Sequence, residues 1–333
     1  MKSSAVATIW ALCLAFAIGG AIVAAQSKDA ITISQAAAKA AAQEDWHSLY
    51  TQLCSPASQP PAPPGARGGA ARGAAAPGSP RQIPDRAQWH REPAKVFDNL
   101  YFLGMNDVAA WAVTTSDGII LIDALYDYSV EDEIVEGMKK LGLDPAKIKI
   151  VIVTHGHGDH SAGAKYLQEH YGARIILSAA DWDLLDRTTG PVPKPTRDLV
   201  AKDGEKVTLG DTTLTLYLTP GHTPGTISLL IPVKDAGKPH VAAMWGGTAI
   251  SRNTGSENLE KYIASARRFS GIAARARADL VISNHDRFGE HLQKIEAMKN
   301  KPGPSPFIVG SNAVTRYLTV VGECGKAVLA SVQ

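Results

Sequence analysis

The sequence predicts a mixed α/β domain in which sheets pack together and helices cover them on the outside. From about Ile83 onward predicted strands alternate with predicted helices, and the strands come in two successive runs. Ile148–Val153 (IKIVIV) is a β-branched run, typical of a strand buried on both faces. Glu131–Leu141 is charged and amphipathic, as expected of a helix that covers a sheet. With 333 residues, 45% of them hydrophobic, the chain is long enough to bury such a core.

The remaining elements follow from short periodicities and turn signals. Alternating apolar residues predict strands, and Asp117-Gly118 marks a tight turn between two of them. Longer amphipathic segments predict helices. The further predicted strands are Asn99–Leu103, Val108–Thr115, Gly118–Ile122, Ala173–Leu177, Thr212–Leu218, Thr226–Pro232, His240–Trp245 and Asp279–Ile282, and the further predicted helices are Ser161–Tyr171, Ala179–Leu185, Leu259–Ala274 and Gly289–Met298.

The charge pattern argues against a nucleic-acid partner. The formal net charge is +2, and the basic pairs Lys139-Lys140 and Arg267-Arg268 do not extend into a basic stripe. Short pairs of this kind are typical of solvated helix faces. We therefore expect no nucleic-acid partner, and the sequence leaves the oligomeric state open.

The N-terminus predicts export. Lys2 precedes an apolar stretch from Ala5 to about Val23, and small residues follow where a signal peptidase would cut, after Ala25. Residues 1–25 are therefore predicted to be a signal peptide, and the mature protein to be periplasmic or secreted without stable membrane insertion. The alternative is a retained membrane anchor, because about 19 apolar residues are enough to span a bilayer.

Composition divides the rest of the chain into three parts. Residues 26–57 form an Ala-rich arm with helical spacing, residues 58–82 are a Pro/Gly/Ala-rich linker, and residues 83–333 are the main domain. Cys54 lies in the arm and Cys324 near the C-terminus. In an exported chain these cysteines either form a disulfide or remain two free thiols, and sequence separation does not decide between the two.

The segment that carries the chemistry is Val151–Gly163 (VIVTHGHGDHSAG). It places His155, His157, Asp159 and His160 on a glycine-rich turn directly after a buried strand. Burying these side chains without partners would cost several kcal/mol, whereas imidazole nitrogens and a carboxylate oxygen are ordinary zinc ligands. His155 and His157 can project to one side of the loop, while Asp159 and His160 can turn toward a second position. One short loop could therefore supply ligands to two metals.

Two further histidines follow later strands. His222 lies in the rigid TPGHTPG turn, and His285 lies in the segment SNHD. Both follow strand ends, so we expect them to complete the metal site. We interpret four other histidines as surface or ordinary core residues and leave His291 open; the four are His47, His90, His170 and His240.

These motifs resemble those of the metallo-β-lactamase superfamily. HGHGDH matches its HxHxDH signature, and PGHTPG and SNH match its later histidine motifs, over roughly Pro93 to Met298. The resemblance implies a four-layer αββα sandwich and two Zn²⁺ ions per chain. It is nearest to the β-lactamases with a His-His-His and Asp-His-His site. It implies His155, His157 and His222 on one zinc, and Asp159, His160 and His285 on the other.

The resemblance also implies roles for residues around the ligands. Asp123 matches an aspartate that supports the ligand loop through hydrogen bonds. Gly247 stands where many other hydrolases of the superfamily have a metal-bridging aspartate, which favours the lactamase type. Thr248, Ser251 and Arg252 are candidates for contacting the substrate.

The predicted activity is hydrolysis of a small-molecule substrate, with β-lactams as the first substrates to test. A zinc-bound hydroxide would open the lactam ring, and Asp159 would be the catalytic carboxylate that orients it and transfers a proton. A lactonase or esterase acting at the same site is the alternative. A non-catalytic metal-binding protein is the second alternative, and an iron oxidoreductase with these ligands is a weaker one. The Pro191–Pro195 loop either overhangs the metals or is a plain surface connection.

Overall fold

The structure is a computed structural model that describes residues 28–54, 83–300 and 303–333, without the side chain of residue 300. The predicted signal peptide and the predicted linker, residues 1–25 and 58–82, lie outside the described residues. Of the helices in the described part, none is long and apolar enough to cross a membrane.

Two sheets form the centre of the domain. The first has seven strands in the order β1-β2-β3-β4-β5-β6-β7, and the second has five in the order β12-β11-β10-β9-β8. The strands are β1 (Ala94–Lys95), β2 (Leu100–Phe102), β3 (Trp111–Thr115), β4 (Gly118–Ile122), β5 (Ile148–Ile152), β6 (Arg174–Ser178), β7 (Leu199–Ala201), β8 (Lys206–Leu209), β9 (Thr212–Leu218), β10 (Ile227–Asp235), β11 (Lys238–Met244) and β12 (Leu280–Ile282).

Helices cover the outer faces of both sheets. A π-helical segment, Val130–Glu136, continues into α4, and 3₁₀ turns lie at Pro145–Lys147 and Arg252–Thr254. The α-helices are α1 (described over 28–42), α2 (His47–Cys54), α3 (Arg86–Trp89), α4 (Gly137–Lys140), α5 (Gly158–Ser161), α6 (Ala164–Tyr171), α7 (Ala179–Arg187), α8 (Ser256–Arg275), α9 (Asp286–Gly289), α10 (His291–Asn300) and α11 (Ser311–Ala330).

The apolar strands are buried on both faces. In β4, Ile120 and Ile122 point into the cluster between the two sheets, whereas Ile119 and Leu121 point into the cluster under the helices of the first sheet. This alternation follows from the two-residue period of a strand. A third cluster, with Trp245, packs the second sheet against α8 and α11. The four-layer αββα fold predicted from the sequence is confirmed.

Several predicted boundaries were wrong. The predicted helix Glu131–Leu141 begins as a π-helix, and the predicted strand Val108–Thr115 begins only at Trp111, because Val108 forms an isolated bridge with His285 instead. Strands β7 and β8 and helix α11 were not predicted. β7 and β8 are only three and four residues long, and the glycines and β-branched residues of α11 obscure its helical period.

The N-terminal arm belongs to the outer helical layer of the second sheet. The Trp46 indole nitrogen donates to the Ala313 carbonyl over 2.7 Å, and its ring meets the edge of Tyr317. Cys54 and Cys324 form a disulfide across a sequence separation of 270 residues. Of the two alternatives left open by the sequence, the structure therefore has the disulfide.

Candidate metal centre

The ligand loops gather at one edge of the sandwich. Parallel pairing of β4 with β5 and of β11 with β12 brings the C-terminal ends of these strands to neighbouring positions. His155 follows β5, and His285 follows β12. His222 follows β9, whose neighbour β10 pairs with β11.

The triple-histidine group consists of His155, His157 and His222. The His222 Nε2 atom lies 3.1 Å from His155 Nε2 and 3.1 Å from His157 Nδ1. Ligands about 2.0–2.1 Å from a tetrahedral zinc are separated by roughly 3.3 Å from each other. Three ring nitrogens that converge at this spacing fit a shared metal ion.

Hydrogen bonds to carbonyl oxygens determine which ring nitrogen of His155 and of His222 is free to bind a metal. The His155 Nδ1 atom lies 3.0 Å from the Gly246 carbonyl, and the His222 Nδ1 atom lies 2.5 Å from the Ala249 carbonyl. A carbonyl only accepts, so each Nδ1 carries the proton and each Nε2 keeps its lone pair for the group centre.

The turn before His222 is held by close packing. Gly221 has φ +143°, and a Cβ atom there would lie 2.4 Å from the Tyr262 backbone on α8. Only glycine fits both the conformation and the space. The turn is therefore fixed against α8, as a rigid ligand requires.

The Asp-His-His group consists of Asp159, His160 and His285. The His160 Nε2 atom lies 3.2 Å from His285 Nε2, and the Asp159 Oδ2 atom lies 3.4 Å and 3.7 Å from these two nitrogens. The ligand atom of His155 also lies within 4.8 Å of those of Asp159 and His160, so the two groups adjoin. The site thus contains two adjoining groups of side chains that could bind metal.

Two carboxylates contact the outer nitrogens of the Asp-His-His group. Asp123 is fully buried; its Oδ2 atom lies 2.9 Å from His160 Nδ1, and its Oδ1 atom accepts from the Thr154 amide over 2.7 Å. Asp107 Oδ2 lies 3.3 Å from His285 Nδ1. Both leave Nε2 directed at the centre of the group, and Asp123 joins His160 to the backbone of Thr154, just before His155.

Burial and charge set the protonation of the ligands before metal binds. Burial, with the neighbouring imidazoles, holds the pKa values of His155 and His222 well below the ordinary histidine value, so both rings are neutral. Burial opposes the charge of His160, yet Asp159 and Asp123 raise its pKa to about 10. Burial also opposes ionisation of Asp159, but His160 and His285 hold its pKa well below the usual range.

The other histidines lie elsewhere. His90 Nδ1 pairs with Glu133 and His240 Nδ1 with Asp279, each over 2.6 Å, while His170 stacks on Tyr166. His47 lies in α2, outside both groups.

His291, which the sequence left open, is a core residue. It is fully buried between Trp111 and Phe307, and its Nε2 atom accepts a hydrogen bond from the Ser283 amide over 3.0 Å. It therefore does not line the metal centre but supports the segment that leads to His285.

The candidates for substrate contact separate into two kinds. Thr248 is buried, and its carbonyl accepts a hydrogen bond from the Tyr262 hydroxyl over 2.8 Å, while its hydroxyl remains a predicted substrate contact. Ser251 caps the 3₁₀ turn, and Arg252 is exposed at its start, after Ala249, whose carbonyl contacts His222. Arg252 is thus the candidate whose side chain is free to reach a ligand.

The proline-rich loop lies against the metal-binding loop. A Cβ atom placed on Gly158 would be 3.4 Å from Val192 Cγ1, which is van der Waals contact. This contact brings Val192 next to the loop that carries His157 and Asp159, and whether Pro191–Pro195 overhangs the metals stays a prediction.

Sequence reasoning missed two residues that connect the ligand loops. Asp181 is a fully buried carboxylate on α7 that accepts hydrogen bonds from the loops of His155 and His222. Asn284 is also buried, and its amide donates to the Thr154 hydroxyl and to the Gly246 carbonyl. The only signal for Asn284 was its place before His285, and the helical context of Asp181 gave none.

Comparison with known proteins identifies a family domain within the chain. Residues 103–236 match the family model described as the metallo-beta-lactamase superfamily. The chain contains a metallo-β-lactamase superfamily domain. The matched range includes the HGHGDH loop and His222 but ends before His285, so the position of His285 rests on the fold.

Curated relatives of this superfamily domain match over short stretches. A hydroxyacylglutathione hydrolase of Cereibacter sphaeroides is 38% identical over 78 residues, which are 23% of this chain and 27% of that protein. One from Acidiphilium cryptum is 32% identical over 124 residues, which are 37% of this chain and 44% of that protein. The chain thus spans less than half the length of these relatives.

Solved structures match the superfamily domain over most of their length. BJP-1, a subclass B3 metallo-β-lactamase of Bradyrhizobium japonicum, is 27% identical with a TM-score of 0.58, over 69% of this chain and 90% of that chain. The FEZ-1 metallo-β-lactamase of Legionella gormanii is 26% identical with a TM-score of 0.61, over 68% and 91%. The predicted resemblance to this superfamily is confirmed, and these neighbours belong to its β-lactamases.

Proposed function

We propose that the protein is an exported dizinc hydrolase that opens β-lactam rings. The observation that carries the proposal is the pair of adjoining ligand groups, in which six side chains from three loops converge with ligand atoms 3.1–3.7 Å apart. The similarity to β-lactamase structures over about 90% of their length supports the choice of substrate.

The donor set fits zinc. Five imidazoles and one carboxylate are nitrogen and oxygen ligands of the kind that zinc accepts, and the neutral His155 and His222 rings offer lone pairs. When bound, zinc supplies a Lewis acid and lowers the pKa of coordinated water to about 7. Histidine and carboxylate also suit iron, so metal identity is part of the proposal.

The protein side chains divide the remaining work between them. His155, His160 and His285 are almost fully buried and hold fixed positions, whereas the Asp159 side chain is 19% exposed. Asp159 is therefore the ligand carboxylate that a substrate can approach. It would orient the attacking water and carry a proton to the departing lactam nitrogen.

The segment after β11 favours a lactam over the substrates of enzymes with a bridging aspartate. A Cβ atom on Gly247 would lie 2.6 Å from the His222 Cβ and 2.8 Å from its ring. A side chain there would displace a ligand, so no carboxylate from this position can bridge the two groups.

The second candidate is a hydrolase of other acyl compounds at the same site, either lactones or hydroxyacylglutathione. It is favoured by those curated relatives that are hydroxyacylglutathione hydrolases. A non-catalytic metal-binding protein is less well supported, because all six ligand positions are filled and directed at two common centres.

A substrate panel on protein of measured zinc content tests the proposal. We expect the zinc-loaded protein to turn over nitrocefin faster than an acyl lactone or hydroxyacylglutathione. Negligible nitrocefin turnover with two zinc ions bound would reject the lactamase function. Turnover of the lactone or of hydroxyacylglutathione would then support the second candidate, and no turnover of any substrate would support the non-catalytic one.

Export is part of the proposal and rests on two features. The N-terminal sequence has the layout of a cleavable signal, and the Cys54–Cys324 disulfide is of a kind that persists in oxidising compartments. N-terminal sequencing of the protein from fractionated cells should find Gln26 as the first residue in the periplasm or medium. An intact N-terminus in the membrane fraction would support a retained anchor instead.

A further inference from the structure

Asp181 connects the two loops that supply the triple-histidine group. Its carboxylate accepts hydrogen bonds from the Gly156 amide over 2.8 Å, from the Gly225 amide over 2.8 Å and from the Thr223 hydroxyl over 2.7 Å. Gly156 lies between His155 and His157, and Thr223 follows His222 directly. One carboxylate thus holds the backbone on both sides of the group.

We propose that Asp181 is a positioning residue that sets the spacing of the triple-histidine group and thereby its affinity for metal. The inference rests on the proposed function only in assuming that this group binds zinc. Asp181 touches no ligand side chain, so it acts through the two loops rather than on the metal.

Burial of the Asp181 carboxylate has a free-energy cost that its hydrogen bonds must offset. The residue is fully buried, and the partners described for its oxygens are two amides and a hydroxyl, none of them charged. Burial raises its pKa, and the bonds from Thr223, Gly156 and Gly225 oppose that rise. An apolar residue at position 181 would avoid the cost of burying a carboxylate. It would, however, leave two amides and a hydroxyl without hydrogen-bond acceptors.

Asp181 lies on a rigid secondary-structure element. Asp181 lies in the first turn of α7, where its amide donates to the capping Ser178 hydroxyl over 3.2 Å. The next residue, Trp182, is buried and donates to the Leu199 carbonyl over 2.9 Å. The carboxylate therefore has a fixed position relative to the first sheet.

The His222 loop fits closely around this carboxylate. A Cβ atom on Gly225 would lie 1.9 Å from the Ser178 hydroxyl and 2.8 Å from Asp181 Oδ1. Thr226 adds a hydroxyl 2.8 Å from that of Thr223. Gly225 packs against Ser178 and Asp181 without free space. We therefore expect the loss of one acceptor oxygen of Asp181 to shift the whole His222 loop.

The test compares zinc binding by the Asp181→Asn and Thr223→Val variants with that of the natural protein. Asp181→Asn keeps the volume but replaces an acceptor by a donor, and Thr223→Val removes one hydroxyl. We expect the zinc ion of the triple-histidine group to bind about 10- to 100-fold more weakly in both variants. Competition with a chelator measures this change. The second zinc should keep its affinity, because Asp181 does not contact the Asp-His-His group.

Two controls separate positioning from general stability. Thr223→Ser keeps the hydroxyl and should restore zinc affinity. Asp198→Asn removes a carboxylate that pairs with Arg174 at the start of β6, away from the ligand loops, and should leave both zinc affinities unchanged. Thermal unfolding of all variants measures the loss of stability separately.

Two results would overturn the proposal. One is unchanged affinity for both zinc ions in Asp181→Asn and Thr223→Val. The other is a loss of stability with equal weakening of both zinc sites. Failure of the proposed function would look different, since the natural protein would then bind two zinc ions without hydrolysing nitrocefin.

Discussion

The Asn284 side-chain amide donates to the Gly246 carbonyl over 2.7 Å, and the same carbonyl lies 3.0 Å from His155 Nδ1. Asn284 directly precedes His285, so one carbonyl just after β11 is shared by a ligand of the triple-histidine group and the neighbour of a ligand of the Asp-His-His group. The Asn284 amide also donates to the Thr154 hydroxyl over 3.1 Å, and that hydroxyl donates to Asp123. Asn284 therefore connects the two ligand groups through hydrogen bonds.

Replacing Asn284 by leucine should weaken both zinc sites. The variant leaves the Gly246 carbonyl with one donor fewer and frees the segment before His285, so zinc affinity should fall by about 10- to 100-fold. Chelator competition measures the change. Asn99→Leu is a matched control, because the Asn99 amide also joins two chain segments, donating to the Pro232 carbonyl over 3.2 Å far from the ligands. Equal effects in the two variants would contradict the connecting role of Asn284.

Adding one methyl group at Gly247 should displace His222. The new Cβ would overlap the imidazole, and overpacking of this kind costs about 1–3 kcal/mol. We expect Gly247→Ala to lose affinity for one zinc ion and most of its hydrolytic rate. Gly303→Ala serves as control, because nothing lies within 4 Å of a Cβ there. Full activity with two zinc ions in Gly247→Ala would show that His222 is not a tightly packed ligand.

Removing the disulfide should destabilise the folded domain. Cys54 and Cys324 join α2 to α11, and loss of a disulfide closing a long loop costs about 2–5 kcal/mol. Denaturant unfolding of the Cys54→Ser, Cys324→Ser double variant should show that loss, and reductant should destabilise the natural protein but not the variant. If reductant has no effect on the stability of the natural protein, the cross-link contributes nothing measurable.

Lys294 should give the stability a dependence on alkaline pH. Burial lowers its pKa from 10.5 to about 8; its ammonium lies 5.0 Å from the centre of the Trp46 ring and donates to the Gly289 carbonyl. Between these two pKa values the unfolded chain binds more protons than the folded protein, so the free energy of unfolding rises with pH through that window.

A comparison with Lys294→Met isolates this effect. From pH 8 to pH 10.5 the free energy of unfolding of the natural protein should rise relative to that of the variant. Lys299→Met, on the exposed side of the same helix, is the control and should run parallel to the natural protein. If the free energy of unfolding changed with pH in the same way in all three proteins, the prediction that burial lowers the pKa of Lys294 would be wrong.

The sequence was most informative where chemistry is local. Histidines and a carboxylate packed into His155–His160 identify a metal-binding loop without any structure, because few other environments accept them. The buried strands β4 and β5 were equally clear, since apolar residues on both faces leave few alternatives.

The residues that organise the site could not be found in this way. Asp181 lies in an amphipathic helix, where an aspartate near the N-terminus is ordinary, and its partners are backbone amides 25 and 44 residues away. Thr248 was predicted to contact the substrate, and its burial just after β11 was not apparent from the sequence. Such features depend on tertiary packing, which local sequence patterns do not encode.

The central claim is that two metal ions bind side by side in the two ligand groups. Anomalous scattering from a crystal of zinc-loaded protein, collected at the zinc edge, tests it most directly. We predict two peaks, one among the ring nitrogens of His155, His157 and His222 and one among the ligand atoms of Asp159, His160 and His285. A single peak, or none within these groups, would contradict the account.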